Sequence, residues 1–437
     1  MPLIAEKPRS WEPQSYNNHH AYFPSQSDES THSWRWPLAG LSTALAVAKK
    51  STDAKITIVE RRKDFEARGA TFGLAPNGQK ALEEIAPDVL ENLKHEGILM
   101  ESGGYMLPWF KVRDALLNKV KAKPDSIALF MGVSLEKVYE KDEVLIASFK
   151  DSDLAIKSDV VIGADGVHSY VRTGILNLPA AKPTGAHVWR GSVNISDIDG
   201  LKHFEKSGLA TGGPFGDQIM LFFFNFHSKT PGLIAWVCSI QDLSGELGIR
   251  AGETTPLDMI RKYVKSLDNP DEATLKQYAD AKLVLENTKS TSDLKWSTQM
   301  AVVDLTAKEG WGGEGRITLV GDAAHSIRPA SGLGGSLAFE DAVLLSRILA
   351  DEKSGKDIEQ RLRNFEELRL PRCKSISNDQ TLRSNLSYKL HQNVPAWDER
   401  YKEWISQGID APPNPPVSEE EVFAGMLGRK SEEMPAQ

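Results

Sequence analysis

The sequence is poor in cysteine. Its 437 residues contain two cysteines, Cys238 and Cys373. Two cysteines cannot form a disulfide framework, and neither belongs to a Cys/His cluster with the spacing of a metal site. We therefore expect no bound metal and a reducing, cytoplasmic location.

Signals that direct a chain to a membrane are also missing. The most apolar stretches, 219–226 and 233–240, are far shorter than the ~20 residues that a membrane-spanning helix needs. The first residues, MPLIAEKPRSWEP, lack the apolar core of a signal peptide. We expect no membrane span, and both apolar stretches predict buried strands.

The charge balance excludes another class of partner. Lys and Arg total 52 against 60 Asp and Glu, which gives a formal net charge of −8. No large cationic surface is available for nucleic acid, so a nucleic-acid partner is not expected. Apolar residues at 40% and charged residues at 26% are typical of globular proteins and exclude global disorder.

Hydrophobic patterns divide the chain into five segments. Helical and strand patterns alternate in two of them, which predicts one α/β layer that is interrupted by an insertion. The insertion has short apolar runs between turn residues, which predicts a mostly antiparallel sheet. The segments are an irregular leader (1–37), the first part of the α/β layer (38–183), the inserted sheet (184–300), the second part with C-terminal helices (301–392) and a Pro-rich tail (393–437).

Individual elements follow from the same patterns. The spacing of apolar residues predicts a helix over 39–50 and a strand over 55–60. A second helix is expected over 77–93, and a single helix, 257–267, is expected inside the inserted sheet. No continuous Val/Ile/Leu run precedes the first helix, so no strand is predicted there.

The first motif is the helix AGLSTALAVAKK followed by a strand that ends at Glu60, twenty residues after Gly40. An acidic side chain at this position of a βαβ unit can bind both hydroxyls of an adenosine ribose. A surface carboxylate at a strand end explains Glu60 at least as well when this segment is taken alone.

Two further motifs place glycine and aspartate at strand ends. In VVIGADGVHSYVR, the glycines allow a tight turn and Asp165 can accept hydrogen bonds from a ligand or from the backbone, although a plain turn is an alternative. In ITLVGDAAHSIRPASGLGGSLAFEDA, a strand ends at Gly321 and Asp322, and a glycine-rich loop opens a helix. Amides at that helix start would face an anion or a flavin ring edge, and Asp322 could hold a sugar hydroxyl.

Together these segments resemble the FAD-dependent aromatic hydroxylases, the single-component flavoprotein monooxygenases similar to salicylate hydroxylase. The resemblance covers about 38–390. It implies an α/β fold in which a Rossmann-like FAD-binding domain carries an inserted antiparallel substrate domain and C-terminal helices. It also implies FAD as cofactor, NAD(P)H as transient co-substrate, O2, and hydroxylation of a small phenolic substrate, with a role in secondary metabolism.

The resemblance assigns cofactor roles to individual residues. Glu60 would bind the adenosine ribose, Arg113 the FAD backbone, and Asp322 the ribityl chain. Asp165 would support the cofactor and the domain junction. His325 is interpreted as structural. The glycines expected beside or over the flavin ring are Gly73, Gly332, Gly334 and Gly335.

Substrate residues are expected in the inserted sheet. Arg190 matches a substrate-facing arginine of related hydroxylases, where a fixed cation favours a phenolate or carboxylate, and a strand-end surface arginine is the alternative. Some relatives carry a substrate-facing tyrosine about thirty residues later, where this chain has Phe222 to Phe224. Candidate pocket walls, for which a place in the core is the commoner explanation, are His187, Trp189, His227 and Trp236.

The amino terminus departs from the family pattern. Arg35, Pro37 and Gly40 align with the three glycines of G-x-G-x-x-G, so two glycines are missing. Neither side chain allows the close backbone approach to pyrophosphate that glycine gives. We therefore expect weak FAD binding. A remnant that does not hold FAD, or another flavin oxidoreductase such as an epoxidase, remains an alternative.

Overall fold

The computed structural model describes residues 3–4, 21–22, 38–64, 71–100, 102–196, 198–216, 218–242, 245, 247–249, 253–288, 297–305, 311–328, 332–351 and 357–387. The described α-helices are α1 (Leu38–Lys50), α2 (Pro76–Ile85), α3 (Pro87–Glu96), α4 (Trp109–Lys121), α5 (Pro256–Lys265), α6 (Glu272–Glu286), α7 (Asp322–His325), α8 (Gly334–Ala350) and α9 (Ile358–Ser387). The described strands are β1 (Leu3–Ile4), β2 (Ala21–Tyr22), β3 (Ile56–Glu60), β4 (Thr71–Leu74), β5 (Ile98–Leu99), β6 (Tyr105–Pro108), β7 (Ile127–Met131), β8 (Leu135–Lys141), β9 (Val144–Phe149), β10 (Ala155–Ser158), β11 (Val161–Gly163), β12 (Lys182–Asn194), β13 (Ala210–Phe215), β14 (Ile219–Asn225), β15 (Leu233–Gln241), β16 (Thr298–Val302) and β17 (Ile317–Leu319).

A layer of parallel strands and helices positions the three motifs of the sequence. Strand β11 pairs in parallel with β17, and β3 pairs in parallel with β7. Helix α1 packs against α8 and is buried from Leu38 to Ala48. A helix with small, apolar residues on every side is stable only when neighbouring elements cover every side. The predicted α/β fold is confirmed.

Two short strands lie inside the leader that was predicted to be irregular. Strand β1 pairs antiparallel with β11, with Leu3 opposite Ile162, and β2 pairs in parallel with β11, with Tyr22 opposite Val161. Both strands also lie next to β3. The leader therefore supplies backbone between β3 and β11, and its interpretation as irregular is wrong for these four residues. Because β11 is fully buried, its backbone groups need hydrogen-bond partners on the edge where β1 and β2 pair with it.

The inserted sheet is antiparallel throughout, with the strand order β13-β14-β15-β12-β16. Side chains alternate between its two faces. One face packs on α5 and α6 and contributes Trp189, Phe223 and Trp236 to the core with those helices. The opposite face, which carries Arg190 and Phe222, is called the site face below.

Two predicted helices differ from the structure. The expected helix over 77–93 is two helices, because Pro87 drives Ala86 into an extended conformation with φ −153° and ψ 83°. The inserted sheet carries α6 in addition to α5, so the prediction of a single helix there is wrong. Helix α6 begins where the Asp271 side chain accepts a 2.6 Å hydrogen bond from the amide of Thr274.

Candidate active site

The turn after β17 places Asp322 at the carboxyl end of that parallel strand. Gly321 has φ +60° and ψ −145°, and a Cβ at this position would lie 2.7 Å from the Cβ of Ala39 in α1. Only glycine combines this conformation with such close packing on α1. Asp322 thus leaves the carboxyl end of a parallel strand beside the start of a helix, which is where doubly wound folds bind their ligands.

The Asp322 carboxylate faces the start of α8. A Cβ at Gly334 would lie 3.7 Å from Asp322 Oδ1. The side chain is half-buried, and no residue in the described part of the chain donates a hydrogen bond to its carboxylate. Burial raises the pKa of Asp322, while the nearby charges of His325 and Arg190 lower it. A half-buried acceptor of this kind is available to a ligand hydroxyl.

Two of the predicted flavin glycines face each other. A Cβ at Gly332, where φ is +69°, would lie 3.8 Å from the Cα of Gly73. The backbone of β4 therefore lies close to Gly332, just before α8. Gly335 differs, because a Cβ there would lie 2.2 Å from Cε2 of Phe72. The structure thus gives Gly335 a packing contact, while Gly73 and Gly332 face each other and Gly334 faces Asp322.

Glu60 and Arg113 are buried in the same layer. Glu60 ends β3, is 4% exposed, and accepts a 3.1 Å hydrogen bond from the amide of Arg62. Arg113, at 2% exposed, pairs with Asp114 at 2.6 Å and lies over the ring of Trp109, 4.9 Å from its centroid. Burial makes the surface-carboxylate interpretation of Glu60 wrong. Contact of either residue with FAD stays a prediction.

Asp165 organises the turn that follows β11. It is 1% exposed and accepts hydrogen bonds from Ser169 Oγ at 2.5 Å and from the amides of Tyr170 at 2.6 Å and Val171 at 3.1 Å. In the same turn, the Arg172 guanidinium reaches the carbonyl of Ala323 in α7 at 3.5 Å. Asp165 therefore stabilises the backbone next to the Asp322 turn, and its role toward the cofactor stays a prediction.

Arg190 lies on the site face of the inserted sheet, 9% exposed. Its Nη2 contacts Met300 Sδ at 3.7 Å. Burial lowers the pKa of Arg190 to about 10, and the charge of Asp322 opposes that change. The coupling acts in both directions, so the Arg190 and Asp322 charges lie near enough to influence each other, and their roles toward substrate and cofactor stay predictions.

Strand alternation separates the candidate pocket walls. Arg190 is opposite Val237, which is opposite Phe222, so these three residues form a row on the site face. Trp189 and Trp236 are fully buried on the helix-covered face, and their interpretation as pocket walls is wrong. His187 contacts Ser297 at 3.2 Å, and His227 accepts a 3.0 Å hydrogen bond from the amide of Gly232. A place for these two histidines in the pocket wall stays a prediction.

His325 belongs to a buried polar cluster. Its Nε2 lies 2.7 Å from Asp341 Oδ2, and the potential ligand atoms of His325, Asp341 and Cys373 lie within 4.8 Å of one another. Arg369 Nε, at 2.8 Å from Asp341 Oδ1, already supplies a cation to this carboxylate. An ion-pair network therefore explains the cluster without a metal ion.

Within the described ranges, no helix combines the length and the apolar character that a bilayer span requires.

This chain is similar to a family of FAD-binding domains, to flavin-dependent monooxygenases and to a solved structure that contains FAD. A family model described as "FAD binding domain" matches residues 262–379, which include β17, α7 and α8. The chain is 24% identical to the FAD-dependent monooxygenase nodM of Hypoxylon pulicicidum over 78% of this chain and 76% of that protein. It is 26% identical to 3-hydroxybenzoate 6-hydroxylase of Klebsiella oxytoca over 78% of this chain and 84% of that protein. The crystal structure of CtdE in complex with FAD and a substrate superimposes with a TM-score of 0.66 at 15% identity, over 85% of this chain and 90% of that one.

Proposed function

We propose that this chain is an FAD-dependent aromatic monooxygenase, which hydroxylates a small phenolic compound with O2 and with NAD(P)H as transient co-substrate. The observation that supports the proposal is that the buried Arg190 on the site face and the Asp322 carboxylate influence each other's charge. A buried cation on one layer and an available carboxylate on the other suit an anionic aromatic substrate next to a sugar-bearing cofactor.

The described residues fit FAD. The Asp322 carboxylate, to which no described residue donates a hydrogen bond, can accept one from a ribityl hydroxyl. Gly73 and Gly332 carry no side chain that would keep the edge of a flavin ring away from their backbones. Glu60 would hold the adenosine ribose at the end of β3, and Arg113 would reach the cofactor backbone. When bound, FAD supplies oxygen activation and oxygen transfer to an electron-rich ring.

The protein would contribute substrate placement and charge stabilisation. The Arg190 guanidinium contacts the Met300 thioether, a weak acceptor, so it can bind a phenolate or carboxylate oxygen strongly. Phe222 and Met220, both on the site face, are buried and can cover the substrate ring from water. The relative from Klebsiella oxytoca is named for 3-hydroxybenzoate, which carries both a phenol and a carboxylate, and this supports an anionic phenolic substrate here.

Replacement of Arg190 by Ala tests the proposal. We expect kcat/KM for a phenolic acid to fall about tenfold, since a charge-assisted hydrogen bond contributes roughly 1.5 kcal/mol or more. Flavin content, measured by absorbance of the purified protein, should not change. Ser192→Ala is the matched control, because Ser192 lies two residues further on the same strand. Loss of FAD in Arg190→Ala would contradict the substrate role.

The two missing glycines of the G-x-G-x-x-G pattern lead to a separate prediction about FAD affinity. Arg35 and Pro37 lie outside the described residues. We expect the double variant R35G/P37G to bind FAD about tenfold more tightly than the native chain, because recovered amide-to-phosphate hydrogen bonds contribute ~1.5 kcal/mol or more. Fluorescence titration of apo-protein with FAD measures the change. The single variant Arg35→Ala is the control. It shows how much of the change in FAD affinity comes from loss of the arginine side chain and how much comes from the new glycines.

Equal affinity of the native chain and the double variant would contradict the missing-glycine argument. Weaker binding in Arg35→Ala would show instead that this arginine contacts the phosphates. A purified native protein without flavin absorbance that also fails to bind added FAD would favour the remnant alternative.

A further inference from the structure

We propose that Asp341, anchored by Arg369, is a positioning residue that holds the Asp322 turn in the geometry that FAD binding requires. The inference rests on the proposed role of Asp322 as an FAD ligand. It adds two residues, from α8 and α9, that the sequence motifs did not single out.

One carboxylate oxygen of Asp341 contacts both ends of the short helix α7. Asp341 Oδ2 accepts a 2.8 Å hydrogen bond from the amide of Gly321 and lies 2.7 Å from His325 Nε2. Gly321 immediately precedes Asp322, and His325 is the last residue of α7. Asp341 therefore fixes the turn on both sides of the proposed FAD ligand.

Helix α7 needs such an external anchor. It has four residues, and a single helical turn is unstable by itself because nucleation orders several residues for one hydrogen bond. The left-handed Gly321 also has more conformations available in a loose chain than any other residue type. A fixed carboxylate at its amide removes that freedom.

Arg369 in turn fixes Asp341. Its Nε lies 2.8 Å from Asp341 Oδ1, and its Nη1 lies 2.8 Å from Glu340 Oε2, so the guanidinium spans two adjacent acids of α8. Burial would raise the pKa of Asp341, but His325 and Arg369 lower it to about 2. The carboxylate is thus ionised at neutral pH and accepts hydrogen bonds from three directions.

Adjacent acids on α8 provide a matched test. Asp341→Asn and Glu340→Gln both remove a negative charge that faces Arg369, but Asp341 alone of the two contacts Gly321 and His325. We expect Asp341→Asn to weaken FAD binding to apo-protein about fivefold or more, and Glu340→Gln to change it less than about twofold. Fluorescence titration gives the affinity, thermal melting of the apo-proteins gives the stability, and the visible spectrum of bound flavin should shift in Asp341→Asn only.

A second pair keeps the test decisive if Asp341→Asn does not fold. Arg369 and Arg372 both bind Glu340, and of the two only Arg369 reaches Asp341. Arg369→Gln should weaken FAD binding, whereas Arg372→Gln should not. Equal affinities within both pairs, or losses that follow the melting temperature alone, would overturn the proposal.

Asp322→Ala separates this proposal from the one on which it rests. Unchanged FAD affinity in Asp322→Ala would overturn the FAD role of Asp322 and the positioning role of Asp341 together. Weaker binding in Asp322→Ala with native affinity in Asp341→Asn would overturn the positioning role alone.

Discussion

Asp322→Ala is expected to lower FAD affinity by roughly 10-fold to 150-fold, the equivalent of the ~1.5 to 3 kcal/mol that a hydrogen bond to a charged group contributes. The carboxylate is half-buried beside Gly334, and no hydrogen bond within the described part of the chain satisfies it. A ligand hydroxyl would supply the missing donor. Titration of apo-protein with FAD, followed by flavin fluorescence, measures the change.

Stability should change in the opposite direction from affinity. Burial raises the pKa of Asp322 in the folded protein, so its ionised form is disfavoured by folding, and its contribution to stability falls as the pH rises through that raised pKa. At neutral pH, Asp322→Asn should therefore leave the melting temperature of the apo-protein unchanged or higher while it weakens FAD binding. A lower melting temperature together with native FAD affinity would indicate a structural residue instead.

The sequence located the Asp322 turn because glycine and aspartate at a strand end have a local chemical meaning. The Gly321 conformation and its contact with Ala39 agree with that interpretation. The anchor was not predicted, since Asp341 and Arg369 lie 28 residues apart on different helices and no local pattern connects them. Tertiary contacts of this kind are visible only in the structure.

Other differences have equally specific causes. Two-residue strands such as β1 and β2 are too short to show an alternating pattern, and they form because β11 offers a buried edge. The break between α2 and α3 could have been predicted from Pro87. Strand alternation could also have separated Trp189 from Arg190, because neighbours in a strand point to opposite faces.

Trp236→Ala is expected to destabilise the protein by about 3 to 5 kcal/mol, the usual cost of removing a large buried aromatic side chain. Trp236 is fully buried, and its Nε1 donates a 2.9 Å hydrogen bond to Thr288 Oγ1. A Cβ at Gly191 would lie 2.5 Å from Trp236 Cζ2, so the ring fills its place without spare room. Urea unfolding of the apo-protein measures the loss.

A comparison of Trp236 with Phe222 tests whether Trp236 belongs to the core or to the wall of the substrate pocket. Trp236 lies on the face that packs on α5 and α6, whereas Phe222 lies in the row with Arg190. Trp236→Phe should therefore lower stability and leave the KM for the substrate near its native value, because the site face is unchanged. Phe222→Leu should raise KM with a smaller loss of stability, since it removes less buried side-chain volume than Trp236→Phe does. If Trp236→Phe raises KM as much as Phe222→Leu does, the substrate contacts both faces of β14 and β15, and the assignment of the site face is wrong.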